Sequence, residues 1–140
     1  GVQFQMLSTL MVSMDRHVFT GIESTFAENK IITSWIGSGE NALSMLTEKP
    51  VDLLIIDENL PDMTCRQLIE AVIMENPMIH CVVASPLSRK ETHQTYEGLG
   101  ILMQLPVMPG RKDAENLIKQ VNHIFNLQGR KTKKERDGIR

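Results

Sequence analysis

Apolar and polar positions alternate along the chain in blocks of two kinds. Short runs of bulky apolar residues suit strands, and longer stretches repeat apolar positions at helical spacing. Gln5 to Ser13 has the first strand pattern. Val18, Phe19, Ile22 and Phe26 follow at helical spacing, with Asp15 placed to cap the helix. Ile31 to Ile36 is a second, β-branched and aromatic run, and Ser38-Gly39 opens a helix that would bury Ala42, Leu43 and Leu46. Lys49-Pro50 ends that helix. The sharpest signal comes next: Val51-Asp-Leu-Leu-Ile-Ile-Asp57, an apolar run closed by a carboxylate and a Pro-containing loop. A continuous run of this kind fits a strand covered on both faces, as in a parallel sheet.

The same alternation continues to the C-terminal part. Leu68, Ile69, Val72 and Ile73 form one helical stripe, stopped by Asn76-Pro77. His80 to Ala84 predicts a fourth strand and Ile101 to Leu105 a fifth. Between them Ser88 to Leu99 has helical composition but few apolar positions, chiefly Tyr96 and Leu99. Ala114, Leu117, Ile118, Val121, Ile124 and Phe125 form the strongest amphipathic stripe. Five strands alternating with five helices predict an α/β fold: a doubly wound, five-stranded parallel sheet with helices on both faces. Periodicity stops after Asn126, which divides the chain into a domain over 1–126 and a basic tail or start of a linker over 127–140.

Composition narrows the class. A chain of 140 residues with 41% apolar and 23% charged residues is a single globular domain by length. No stretch reaches the ~20 apolar residues of a membrane span, and no signal-peptide pattern opens the sequence, so a cytoplasmic location is expected. The net charge of −2 is uneven: Leu127 to Arg140 holds six Lys/Arg against two acids, which leaves about −6 on the rest. The tail has neither aromatic partners nor a reading helix, so nucleic acid is not expected as a partner of this domain alone. Cys65 and Cys81 lack zinc spacing, and His17, His80, His93 and His123 are scattered, so no metal site is expected from them. There is no nucleophile-elbow Ser and no Gly-rich phosphate loop, which argues against an enzyme.

In open α/β sheets the functional crevice lies beyond the carboxyl ends of the strands. Asp57 belongs at that lip. Together with Leu60-Pro61-Asp62-Met63, the Ser38-Gly39-Glu40-Asn41-Ala42-Leu43 helix start, Val82-Val83-Ala84-Ser85 and Leu105-Pro106, it makes the chain resemble, over residues 5–126, the receiver domain of two-component response regulators. That resemblance implies the flavodoxin-like receiver fold. It implies that Asp57 stands at the phospho-acceptor position and Ser85 at the position of the switch hydroxyl. It also implies Mg²⁺ held beside the acceptor by an acidic pair after the first strand, and a Lys after the fifth.

Here the pattern departs from the family. The acidic-pair positions fall on Ser13 and Met14, the Lys position on Leu105, and the aromatic switch position on Leu102. A phosphoryl group would bring about −1.5 to −2 charges with neither metal nor cation to balance them. Only a one-residue shift that brings Asp15 into the cluster restores a carboxylate. Mg²⁺ is therefore expected only if the site is compensated. Pro86 holds Ser85 toward extended backbone. A cis Leu105–Pro106 bond is implied by the resemblance alone, since most X–Pro bonds are trans.

The expectation is an atypical receiver in phosphorelay signalling that acts as a protein-interaction module with impaired phosphorylation. Its face would lie over residues 88–125, on a mobile helix, with Tyr96, Leu99 and Leu102 as the apolar residues presented. The partner would be a protein: a histidine kinase, an output domain, or a second copy in a homodimer. The alternative is a working phospho-acceptor at Asp57 with a compensated site, attached to a DNA-binding output domain beyond Arg140.

Overall fold

The computed structural model describes residues 7–138, with side chains through residue 126. The first residues of the strand expected over 5–13, and the side chains of the basic 127–140 segment, lie outside that range. Five strands form one parallel sheet: β1 (Ser8–Val12), β2 (Ile32–Ile36), β3 (Leu53–Asp57), β4 (His80–Ala84) and β5 (Met103–Leu105). Their spatial order is β2-β1-β3-β4-β5. Five α-helices connect and flank them: α1 (Thr20–Glu28), α2 (Gly39–Glu48), α3 (Cys65–Glu75), α4 (Arg89–Thr95) and α5 (Arg111–Gly138). A 3₁₀ turn over Arg16–Phe19 precedes α1. None of the helices is long and apolar enough to cross a membrane among the described residues.

The period of two along each strand sorts side chains into two cores. Leu10, Val12, Leu54, Ile56 and Val83 face α2 and α3 and pack with Ala42, Leu68, Ile69, Val72 and Tyr96. Met11, Leu53, Ile55, Val82 and Leu105 face α1 and α5 and pack with Phe19, Ile22, Phe26, Leu117 and Val121. β3 lies in the middle and contributes to both, which is why its sequence is apolar at every position from Leu53 to Ile56. Each such side chain stabilises the fold by about 1.5–3 kcal/mol on burial.

Helix ends follow the polar punctuation of the sequence. Ser38 caps α2 by accepting from the Asn41 N–H, and Thr64 and Ser88 open α3 and α4 with reciprocal capping boxes. Asp15 accepts from the His17 N–H and so caps the 3₁₀ turn rather than α1 itself. Asp62 adds a second cap to α2 from a distance, its two carboxylate oxygens accepting from the N–H groups of Gly39 and Glu40 at 2.9 Å. On the opposite face, Arg111 at the start of α5 forms a bidentate pair with Glu28 at the end of α1.

Three expectations need correction. The fifth strand begins at Met103, because Ile101 and Leu102 precede the ladder with Val82–Ala84. The helix expected over 88–99 is only seven residues long, and Gly98 (φ 83°) and Gly100 (φ 64°) turn the chain out of it. Leu105–Pro106 is trans, as are all peptide bonds among the described residues.

Two predictions come from these contacts. Gly21 lies in α1 against the loop after β5, where an added Cβ would sit 2.6 Å from the Pro109 carbonyl oxygen. Helix propensity alone would make Gly21→Ala stabilising by about 1 kcal/mol. The forced backbone shift costs about 1–3 kcal/mol and should win, so denaturant titration should show lower stability; a gain would show that the loop yields freely. The second concerns acid. The N–H groups of Glu40 and then Gly39 hold the Asp62 carboxyl below its ordinary range. Its contribution is therefore present above the unfolded carboxylate pKa and lost as pH falls through the lower folded value. Asp62→Asn should lower the urea midpoint at neutral pH, and the difference from wild type should close in acid. An equal difference at both pH values would show that the charge contributes nothing.

Candidate functional site

The crevice at the carboxyl ends of the strands is built from the segments that leave β1, β3, β4 and β5. Asp57 ends β3 in register with Ala84, and the next residue, Glu58, donates its N–H to the Ala84 carbonyl at 3.0 Å. The Asp57 carboxyl titrates above its ordinary range. Burial is the largest cause; backbone N–H bonds from Asn59 and Glu58 oppose it, and the Glu58 charge adds to it. Glu58 is the one charged side chain that contributes to this balance, and it has the same sign as Asp57.

Ser13, which the resemblance sets at the first acidic-pair position, is fully buried. Its hydroxyl donates to the Asp15 carbonyl at 2.7 Å and accepts from the Trp35 indole N–H at 3.0 Å. It serves as a local bracket between β1 and β2. Arg16 stacks over the same indole, 5.8 Å from the ring centroid, and pairs with Glu23. Met14, at the second position, is 50% exposed. Asp15, the one carboxylate a shifted register would recruit, has its oxygen on the His17 N–H. Among the described residues no three His, Cys, Asp or Glu side chains converge in an arrangement suited to a metal.

Leu105, at the Lys position, is 1% exposed and packs into the core against α1 and α5, while its carbonyl accepts from the Ser85 N–H. Beyond it, Val107 and Met108 are exposed, as is Met14 on the loop from β1. The rim where the resemblance implies charge is thus partly apolar. Ser85 is 2% exposed and its hydroxyl accepts from the Leu87 N–H, closing a tight turn through Pro86. Gln104 of β5 secures that turn by donating to the carbonyls of Leu87 and Ser85.

The three residues expected on the interaction face divide. Tyr96 is 4% exposed, its ring packs in the core beneath α4 and its hydroxyl donates to Glu58 Oε2 at 2.6 Å, yet it also forms part of the lining of the groove described below. An aromatic at the last turn of a short helix is the only apolar anchor available, so it turns inward. Leu99 and Leu102 are partly buried and pack on opposite cores. What α4, β5 and α5 present is an open groove of about 850 Å³ lined by Arg89, His93, Glu97, Met103, Gln104 and Gln120. The Glu58–Tyr96 bond joins residues 38 apart in sequence, and no local pattern announces it.

Neither a protein-family model nor a curated protein matches the chain. Solved structures do. The chemotaxis response regulator CheY4 of Vibrio cholerae is 19% identical with a TM-score of 0.75, covering 83% of this chain and 98% of its own. A CheY-like response regulator receiver domain from Methanospirillum hungatei is 14% identical with a TM-score of 0.75, covering 90% and 98%. The beryllofluoride-activated DrrB receiver domain is 14% identical with a TM-score of 0.71, covering 84% and 98%. Five parallel strands in one sheet with five helices match these structures, and the chain has the fold of response-regulator receiver domains.

Proposed function

We propose that this chain is an atypical receiver module of two-component signalling, which works by docking a protein partner and not by Mg²⁺-dependent phosphoryl transfer. One observation carries the reading. At the positions where a receiver needs two carboxylates and an ammonium, this chain has a bracketing hydroxyl (Ser13), an exposed thioether (Met14) and a buried isobutyl group (Leu105). Mg²⁺ prefers octahedral oxygen ligation, with carboxylates, phosphate oxygens and waters as its usual partners. Of the acceptor and acidic-pair positions only Asp57 carries a carboxylate, and burial already opposes its charge. A phosphoryl group would add to an uncompensated negative site.

The docking surface is the α4–β5–α5 groove. Its lining combines Arg89 and His93 with Glu97 and the apolar Met103, a mixture suited to a protein surface. A histidine kinase, an output domain or a second copy are the partners in view. The free thiols of Cys65 and Cys81, both buried, suit a reducing, cytoplasmic setting.

Two measurements test this. Titration with beryllofluoride and Mg²⁺, followed by NMR, should give no adduct at Asp57 at millimolar concentrations, and a small phosphodonor should leave the intact mass unchanged. A phosphoryl mass increment that disappears in Asp57→Ala would establish the alternative, a working acceptor. Asp57→Asn should raise the thermal midpoint at neutral pH. The folded pKa lies above the unfolded one, so ionisation weakens the fold as pH rises through that interval and the variant escapes the loss. Its advantage should vanish in acid; an unchanged or lower midpoint at neutral pH would contradict the charge balance described.

A further inference from the structure

α4 has seven residues and buries only Thr92 within its span. The Thr92 hydroxyl finds no hydrogen-bond partner among the described residues. A helix this short has no stability of its own. Its position has to come from contacts at its two ends, and both ends carry them.

At the N-terminal end, the Ser88 hydroxyl accepts from the Glu91 N–H at 3.1 Å, and the Glu91 carboxylate accepts from the Ser88 N–H at 3.2 Å. This box is local and ties α4 only to itself. The C-terminal end is held from outside. Arg66 of α3 donates to the Thr95 carbonyl at 2.7 Å and more weakly to the Glu97 carbonyl at 3.3 and 3.4 Å. Its Nε pairs with Glu70 Oε1 at 2.9 Å, which keeps the guanidinium aimed. A cation at this end also suits the partial negative charge of a helix C-terminus. One step further, Tyr96 enters the core beside Cys65 and donates its hydroxyl to Glu58.

We propose that Glu58 and Arg66 form a two-point clamp on the C-terminal end of α4, so that the carboxylate adjoining Asp57 sets the position of the helix that borders the groove. The observations that carry this are independent of sequence resemblance. Glu58 is anchored to β4 through its own N–H, so its backbone stays with the sheet if α4 moves and only the reach of its side chain can follow. The phenol is buried, and a donor deprived of its acceptor there is left without water to replace it. Beyond the clamp the chain leaves through Gly98 and Gly100, both at positive φ and with nothing within 4 Å of an added Cβ. Whatever displaces the Glu58 side chain, a bound group at the crevice or a partner's side chain, releases the end of α4. By linkage, a partner that holds α4 in another position disturbs Glu58. The signalling consequence rests on the docking reading above, whereas the clamp itself does not.

Hydrogen exchange on the full chain without any partner tests the clamp directly. Tyr96→Phe keeps the ring and removes the hydroxyl. Glu58→Met keeps the length and removes the acceptor. Each should raise amide exchange over residues 92–97 by about tenfold, which is the scale of one charge-assisted hydrogen bond. The double variant should exceed neither single one, because both remove the same bond. Exchange in α1 and α5 should not change. Arg66→Met, which leaves the core untouched, should raise exchange over 95–97 as an independent arm. Unchanged exchange in Tyr96→Phe, additive effects in the double variant, or a uniform rise across the whole sheet would overturn the clamp. Because no partner is present, loss of docking in a separate binding assay would sink the functional reading and leave this result standing.

Discussion

The structure depends on one constraint: four consecutive residues, Leu53 to Ile56, are shut off from water on both sides of the sheet. No polar group can be accommodated along that stretch without an unmet desolvation cost. The first carboxylate after it must therefore emerge where the sheet ends, and Asp57 does so. The neighbouring strands stop at the same level, since β3 and β4 run in register through Asp57 and Ala84. A crevice at that end follows from the packing of the sheet, whatever chemistry the crevice performs.

What stands around Asp57 is decided by different forces. Ser13 is spent on Trp35 and on the Asp15 carbonyl, Leu105 on the core, and Asp62 on the N-terminus of α2. These contacts tie the three side chains to the scaffold. On the reading proposed above, the receiver fold is kept here while the crevice is used for recognition by shape.

Much of the fold could be read in the residues. Strand runs and helical stripes placed all ten elements, and Ser38, Lys49-Pro50 and Asn76-Pro77 marked helix boundaries because their side chains or rings act locally. The position of Asp57 followed from period and turn chemistry alone. Strand order did not, because parallel crossovers of similar length permit several arrangements. Tyr96 is buried more deeply than its sequence context indicates, for a physical reason. On a helix with few apolar residues it reads as an exposed anchor, but its burial depends on Cys65 and Glu58, which lie roughly thirty and forty positions away. The indole–Ser13 bond between neighbouring strands was equally silent in the sequence.

The two sides of the sheet are built to different mechanical standards. α1 and the part of α5 with described side chains are joined by apolar packing and by the Glu28–Arg111 fork. α4 lies between a reciprocal cap at Ser88 and two glycines, Gly98 and Gly100, at which an added Cβ would meet nothing within 4 Å. Strain applied anywhere in the molecule will concentrate in the most compliant element. With the clamp proposed above, that element is the seven-residue α4, and one phenol hydroxyl serves as its pawl.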